Sequence, residues 1–469
     1  MIDIMNDKRV EKDTLGTVLV NKKSYWGAQT QRSLENFPVC TLTPHPEYTE
    51  STVIIKKAAA KVNYDLKLLD SQRAKNIIKA CNEIISGKLK DQIVVNPYQA
   101  GAGTSHNMNI NEVIANRGNE LLGYELGSYK IIHPNDHVNL SQSTNDVIPT
   151  AIRIASIKLI IPLISKLKKL ENTFSQKARE FYKIIKSGRT HLQDALPVTL
   201  GQEFSTYRFS LTRDRKTIEK MQENLFFVGI GGTGVGTGIN SHPRYHKLMI
   251  LELSRLTHLS LKSSDNLMYT MNNASDFLNL SSSLRTLSAT LIKIGNDLRL
   301  MYSGPGTGFY EILLPPVQPG SSIMPGKFNP SIVEMLTMIC YQIIGLDTAI
   351  MLSHQSAQLE LNIMTPLIAY DLLEQIKLLT RGVEIFDTKC LTGIKANRKM
   401  CQFWLERGTG LAAILNPVIG YDRTGELVKL SLKTGQKIQG LAIQKGYLRK
   451  DQADKLFSPE NLTRPNLGT

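Results

Sequence analysis

Four polar clusters hold most of the residues whose types and spacing could do chemistry. The first is Gly101-Ala-Gly-Thr104-Ser-His-Asn107-Met-Asn109. The second is His133-Pro-Asn135-Asp136-His137-Val-Asn139, continuing to Ser141-Gln-Ser143-Thr144-Asn145-Asp146. The third is Ser187-Gly-Arg189-Thr190-His191-Leu-Gln193-Asp194, and the fourth is Gly320-Ser321-Ser322-Ile-Met-Pro325-Gly326-Lys327-Phe-Asn329-Pro330. All are rich in neutral hydrogen-bonding side chains and poor in charge. A pocket built from them can hold a small dicarboxylate and the extra negative charge that develops on it during reaction. Taken singly, each also reads as a helix cap or turn, where Ser, Thr, Asn and Asp are common.

Other chemistries are weaker. Gly229-Ile-Gly231-Gly-Thr-Gly234 fits GxGxxG. However, Leu225–Val228 is a short strand, and Gly236, Gly238 and Pro243 follow where a pyrophosphate needs a helix N-terminus. A glycine-rich connection between helices is the better reading. No Gly-Lys-Ser/Thr follows the glycines, so a P-loop is absent. His242 and His246 stand four apart, but Pro243 lies between them and no third ligand is near in sequence. No metal site is expected.

The elements that must position these clusters are helices. Ile154, Ile157, Ile161, Ile164 and Leu167 step by three or four, as do Leu284, Leu287, Leu291, Ile294 and Leu298. Phe204, Tyr207 and Leu211 continue into Ile218, Met221 and Leu225, and Leu372, Ile376, Leu379, Val383 and Phe386 form a further stripe. Each stripe wants a helical partner, which predicts one large bundle. Pro162 should kink or restart the first helix. Met351 and Met364 read as core. Strand signals are thin, limited to Gly16–Asn21 and Leu225–Val228, and nothing alternates strand with helix, so a doubly wound sheet is disfavoured.

The chain has 469 residues, room for about three domains at roughly 150 residues each. Hydrophobic residues at 42% and charged residues at 21% are the balance of a globular chain and exclude a largely disordered one. The net charge is +15, yet the lysines are dispersed, as at Lys56-Lys57 and Lys166/Lys168/Lys169, without a basic block. That pattern argues for attraction of a small anionic substrate rather than for nucleic acid. The uncharged stretch from Asn224 to Pro243 carries six glycines and makes a poor membrane span. Five cysteines without CxxC spacing, and an opening Met1-Ile-Asp-Ile-Met-Asn-Asp-Lys8 without a secretory pattern, point to a reducing cytoplasm.

The fourth cluster carries a resemblance. Gly-Ser-Ser-x-x-Pro-x-Lys-x-Asn-Pro closely resembles the signature of the fumarase/aspartase superfamily. The other clusters follow in that family's order, as GAGTSxNMN, HPNDHVNxxQSTND and GRTHLQDAxPxTLGQEF, as do Gln358–Asn362 and Leu415–Tyr421. The resemblance runs from about Thr14 to the tail near Pro465. Ala102 in Gly101-Ala-Gly-Thr-Ser105, the Ser143-Thr144-Asn145-Asp146 tetrad and Ala357–Asn362 are similar to the aspartase branch. Trp26–Arg32 and Pro325-Gly326-Lys327 are closer to class II fumarases.

The resemblance implies reversible elimination of ammonia from L-aspartate to give fumarate, with hydration of fumarate to L-malate as the alternative. It implies Ser321 as the base, and Thr104, Ser143, Thr144 and Ser322 as donors to the β-carboxylate. Lys327 and Asn329 resemble the α-carboxylate clamp. Thr190, His191 and Asn145 resemble the ligands near the α-carboxylate and amino group, with Glu334 holding the histidine's tautomer. His133, Asn135 and Asp136 match a second carboxylate site of fumarases and are read as structural first. The resemblance implies that no cofactor is required and leaves activation by a divalent cation open. The implied fold is mostly α, with a small N-terminal domain (1–141), a long central helix bundle (142–396) and a small C-terminal domain (397–469). Four copies are expected to form a homotetrameric helical core in which each active site takes residues from three subunits.

Overall fold

The computed structural model describes residues 7–465, so most of the opening segment read above for a secretory pattern lies outside the described residues. The fold is mostly α, as the apolar stripes predict. Contacts group the chain into two compact units, Met1–Ile164 with Lys216–Thr286 and Gln342–Leu379, and Ser165–Arg215 with Leu287–Tyr341 and Thr380–Thr469. Five long helices, Thr144–Glu180, Leu200–Glu223, Ser275–Tyr302, Ser331–Gln355 and Thr365–Lys389, contribute residues to both.

In the first unit, an antiparallel pair, Lys8–Asp13 with Gly16–Asn21, precedes a helix, Ala28–Asn36. The N-terminus of that helix is tied down by a buried carboxylate from elsewhere in the chain. Glu112 accepts from the backbone N–H of Gly27, Gln29 and Thr30 and from the Thr30 hydroxyl, at 2.6–3.1 Å. Such donors would otherwise be orphaned at a helix start. The helices Pro46–Asp65, Ser71–Ile85 and Thr104–Glu120 bury Val53, Ile77, Cys81, Ile110 and Ile114 together. The bundle helices of this unit bury Ile154, Ile157, Leu280, Leu284, Ile343, Leu372 and Ile376.

In the second unit, Phe174, Phe181, Phe204, Tyr207 and Phe386 form a ring cluster with centroids 5.1–6.4 Å apart, mostly tilted or edge-on. A C-terminal cluster buries Leu415, Leu427, Ile438 and Leu441.

Several expectations are corrected. Ile161 is 52% exposed, because the buried set of its helix steps through Ile160, Leu163, Leu167, Leu170 and Phe174 instead. The helix does not restart at Pro162 but continues through both Pro149 and Pro162. Proline removes one backbone bond there, but burial on both sides of it holds the turns together. Met351 and Met364 are exposed in the chain, not core. Lys56, one of the dispersed lysines, is fully buried. All five cysteines are free thiols.

Candidate active site

Thr104 opens the Thr104–Glu120 helix, which follows a left-handed pair, Ala102 (φ 60°) and Gly103 (φ 83°). A Cβ on Gly103 would also crowd the Ile148 side chain at 3.0 Å, so both the backbone and the neighbour favour glycine there. Ala102 is buried, with its N–H on the Ile363 carbonyl at 2.8 Å, while the Thr104 side chain is exposed. One turn further along, Asn107 donates from Nδ2 to Thr144 Oγ1 at 3.2 Å.

Ser143 caps the helix that Thr144 begins. Its Oγ accepts from Asn145 N–H at 3.2 Å, and its own N–H goes back to Asp146 Oδ1 at 3.0 Å, a reciprocal arrangement like a capping box. The cap reading and the site reading of this segment are therefore compatible. The other Asp146 oxygen accepts from Gly231 and Thr233 N–H, both at 2.9 Å, and Asn145 Nδ2 donates to the Gly234 carbonyl at 2.8 Å. Burial pushes the Asp146 carboxyl up to about 6, against those three N–H donors. The glycine-rich segment is thus a connection stitched to the Ser143–Asp146 turn. No helix starts at its last glycines; the next begins at Tyr245. Both ring nitrogens of His246 are engaged, with the Ile230 carbonyl and Ser263 Oγ.

His133 and Asn135 sit at a short π-turn, Pro134–Val138, where His133 Nδ1 accepts from Asp136 N–H at 3.3 Å. They line a pocket of about 700 Å³ with Thr104 and Arg32.

In the second unit, Gly320–Pro330 is a folded loop. Gly320 N–H donates to the Lys327 carbonyl at 2.8 Å, and Asn329 Nδ2 donates to the Gly320 carbonyl at 2.7 Å. A Cβ on Gly320 would lie 2.4 Å from the Lys327 oxygen, so only glycine permits this closure. Inside the loop, Ser321 Oγ accepts from two backbone N–H groups, Ile323 at 3.2 Å and Met324 at 3.0 Å. Those donors favour negative charge on the oxygen. Ser322 is exposed beside it. Lys327, Asn329 and Glu334 line one pocket of about 980 Å³ with Asn296, Arg299 and Tyr310. Two cations and two amides against one acid, Glu334, leave the concavity net positive, which suits a carboxylate.

Thr190 and His191 occupy a feature that the thin strand signals did not reveal. Ile185–Thr190 pairs antiparallel with Gln193–Thr199, and the two-residue turn is His191-Leu192. Both turn residues have positive φ, 56° and 60°, where Asn-Gly is the usual occupant. Left-handed backbone at non-glycine residues costs roughly 1–2 kcal/mol each. Strain of this kind gathers at functional positions. The first strand of the hairpin is fixed by buried ions along its length: Glu311 pairs with Arg189 and Lys186, both at 3.0 Å, and Lys186 reaches Glu203 at 2.9 Å. The His191 imidazole at the tip is exposed and makes no hydrogen bond to any described residue, Glu334 included.

The structure thus brings Ser143, Thr144 and Asn145 together around one helix start, with Thr104 a turn from the asparagine that reaches them. It brings Ser321, Lys327, Asn329 and Glu334 together on one loop and the helix after it. Thr190 and His191 stand on a separate hairpin. Among the described residues no group of three or more His, Cys, Asp or Glu side chains could hold a metal ion. Sequence reasoning passed over Lys56, although its spacing from Val53, Ala59 and Ala60 puts it on the buried stripe of its helix.

Known proteins match this chain along its whole length. The family described as Lyase matches residues 16–345, and that described as Fumarase C C-terminus matches residues 411–464. The aspartate ammonia-lyase of Bacillus subtilis (strain 168) is 42% identical over 467 residues, covering 100% of this chain and 98% of the relative. The class II fumarate hydratase of Wigglesworthia glossinidia brevipalpis is 43% identical over 458 residues, covering 97% and 98%. A solved structure of a fumarate lyase:delta crystallin from Brucella melitensis bound to cobalt superposes with TM-score 0.93 at 43% identity, covering 98% of this chain and 100% of that one. The class II fumarase of Schistosoma mansoni also gives TM-score 0.93, at 36% identity, covering 96% and 98%. With these matches, the serine-bearing loop and the helical fold agree, and the chain belongs to the fumarase/aspartase family of lyases.

Proposed function

We propose that this lyase is an aspartate ammonia-lyase that converts L-aspartate reversibly to fumarate and ammonia. The observation that carries the choice is Ala102. Its methyl group is buried and its N–H is committed to Ile363, so the glycine-rich turn before Thr104 offers no hydroxyl where fumarases place a serine toward substrate. The Ser143-Thr144-Asn145-Asp146 tetrad points the same way. The second reading, fumarate hydration, draws on Trp26–Arg32, on Pro325-Gly326-Lys327 and on the 43% identical fumarate hydratase. Side-by-side assays with L-aspartate and L-malate decide between them. Ammonia release from aspartate is expected; efficient fumarate hydration without it would overturn the proposal.

In the proposed mechanism the Ser321 alkoxide takes a proton from C3 of aspartate, and the β-carboxylate becomes an enediolate dianion. Hydrogen bonds from Thr104, Ser143, Thr144 and Ser322 tighten as that charge develops, which is where they accelerate reaction. The electron pair then reforms a double bond to C2 and expels ammonia. Lys327 and Asn329 hold the α-carboxylate, with Thr190, His191 and Asn145 beside it and the amino group. No cofactor enters this chemistry.

We further propose that the site is assembled from several copies, with Glu334 of one chain orienting His191 of another. The Ser331–Gln355 helix supports this. It is long and apolar enough to cross a membrane by length and composition, yet only 33% of its most apolar window is buried within the chain. Met338, Tyr341, Met351 and Leu352 are 43–63% exposed along it. A second copy is the occupant such a face fits. Light scattering should find a homotetramer, and dilution to monomer should abolish turnover. A fully active monomer would refute the shared site.

A further inference from the structure

We propose that buried Lys56 is a positioning residue that aims the Thr144 hydroxyl at the substrate carboxylate, acting through Asn139 and Asn107. The inference rests on the reading above that Thr144 donates to a dicarboxylate.

Lys56 lies within the Pro46–Asp65 helix and has no exposed surface. Its ammonium donates to Asn139 Oδ1 at 2.9 Å and to Gln142 Oε1 at 3.0 Å. Burial pulls the group down to about 7, while the Asp146 charge favours the ammonium. A buried cation needs such partners.

In its ammonium form, which the Asp146 charge favours, Lys56 can only donate. Asn139 must therefore turn its amide oxygen toward Lys56, and its Nδ2 goes to the Gln142 carbonyl at 3.2 Å. That oxygen also accepts from Nδ2 of Asn107 and of Asn111, each at 3.2 Å. The Asn107 amide nitrogen, its orientation now fixed, gives its other hydrogen to Thr144 Oγ1 at 3.2 Å. The oxygen and nitrogen of an asparagine amide are ordinarily interchangeable in such a network. Here a donor-only group at one end removes the choice at every link. Thr144 Oγ1 accepts from behind, so its own hydrogen is free to point outward.

The arrangement leaves polar atoms unsatisfied. Asn107 Oδ1 and Asn111 Oδ1 are both buried without a hydrogen-bond partner among the described residues. Both amide NH₂ groups face Asn139, and both oxygens go without. Packing alone gives no reason for that; a network polarised in one direction does. Asn107 and Asn111 are buried, while Thr144 at the end of the relay is partly exposed.

The test is a double-mutant cycle on the full chain, using Lys56→Met, Thr144→Val and the double variant, with kcat and KM measured for L-aspartate. Lys56→Met should lower kcat/KM about 10–100-fold, up to the scale of losing one oxyanion donor. If the lysine acts through the hydroxyl, adding Lys56→Met to Thr144→Val should cost less than about threefold more. Losses that multiply, or a Lys56→Met enzyme with wild-type kinetics, would overturn the proposal. Should Lys56→Met fail to fold, Asn107→Leu cuts the same relay and takes its place in the cycle, with the same overturning outcomes. Wild-type activity on malate alone would refute the aspartase reading but not the relay, and the cycle would then be run with malate. If neither substrate turns over, the cycle is run by calorimetry with succinate, and absence of binding to wild type would sink both.

Discussion

Ser321→Ala should cut kcat by about 10²–10⁴-fold, the usual scale for losing a general base. A free serine is a poor base, so the proposal requires a site that holds its alkoxide. The loop supplies two backbone N–H donors to Oγ, from Ile323 and Met324, with Lys327 on the same loop. These donors belong to the backbone and survive the substitution, so the alanine variant isolates the oxygen itself. Substrate binding should outlast turnover, because Lys327, Asn329 and the hydroxyls of the other cluster still engage both carboxylates. Ser322→Ala is the control and should cost at most about 10²–10³-fold, the loss of one donor. Hydrogen exchange at C3 of aspartate should vanish in Ser321→Ala while calorimetry still detects bound ligand. Exchange at a near wild-type rate would assign the proton to another group, such as His191 through a water.

Lys327→Ala should raise KM about 10–150-fold, the range for removing a charge-assisted hydrogen bond to a carboxylate. The lysine opens onto the same pocket as Asn329, Glu334 and Arg299. Arg299 belongs to the Ser275–Tyr302 helix and not to the loop, and a planar guanidinium is not interchangeable with the point charge of a lysine. A rise in KM with little change in kcat would show that Lys327 binds ground and transition states alike; a fall in both kcat and kcat/KM would place it on the developing charge. Wild-type values of both constants would exclude it from the site.

Much of the molecule was legible in the sequence. The stripe from Leu284 to Leu298 and that from Leu372 to Phe386 are buried at every position named, because an amphipathic helix writes its buried face at a period of 3.6. The loop Gly320–Pro330 could be read as a loop, since glycine and proline act locally. The glycine-rich segment at Gly229–Gly238 could be read as a connection for the same reason.

What escaped the sequence depends on partners far away in the chain. Whether a face of the Thr144–Glu180 helix is covered depends on what packs there, and so Ile161 fits the period yet lies exposed. The His191-Leu192 turn carries no turn signal. Its left-handed backbone is held by the antiparallel pairing of Ile185–Thr190 with Gln193–Thr199 and by the Glu311 ion pairs more than a hundred residues away. Lys56 is the clearest case. Its helical spacing from Val53 and Ala60 hints at a buried face, but a lysine there becomes tolerable only where Asn139 and Gln142 bring two oxygens to it. The sequence by itself determined the helical stripes, the glycine turns and the family, since period, turn chemistry and motif spacing are local properties. The tertiary structure alone decided which polar groups are buried, which way their hydrogens point and where backbone strain is sustained, because each depends on contacts between residues distant in the chain.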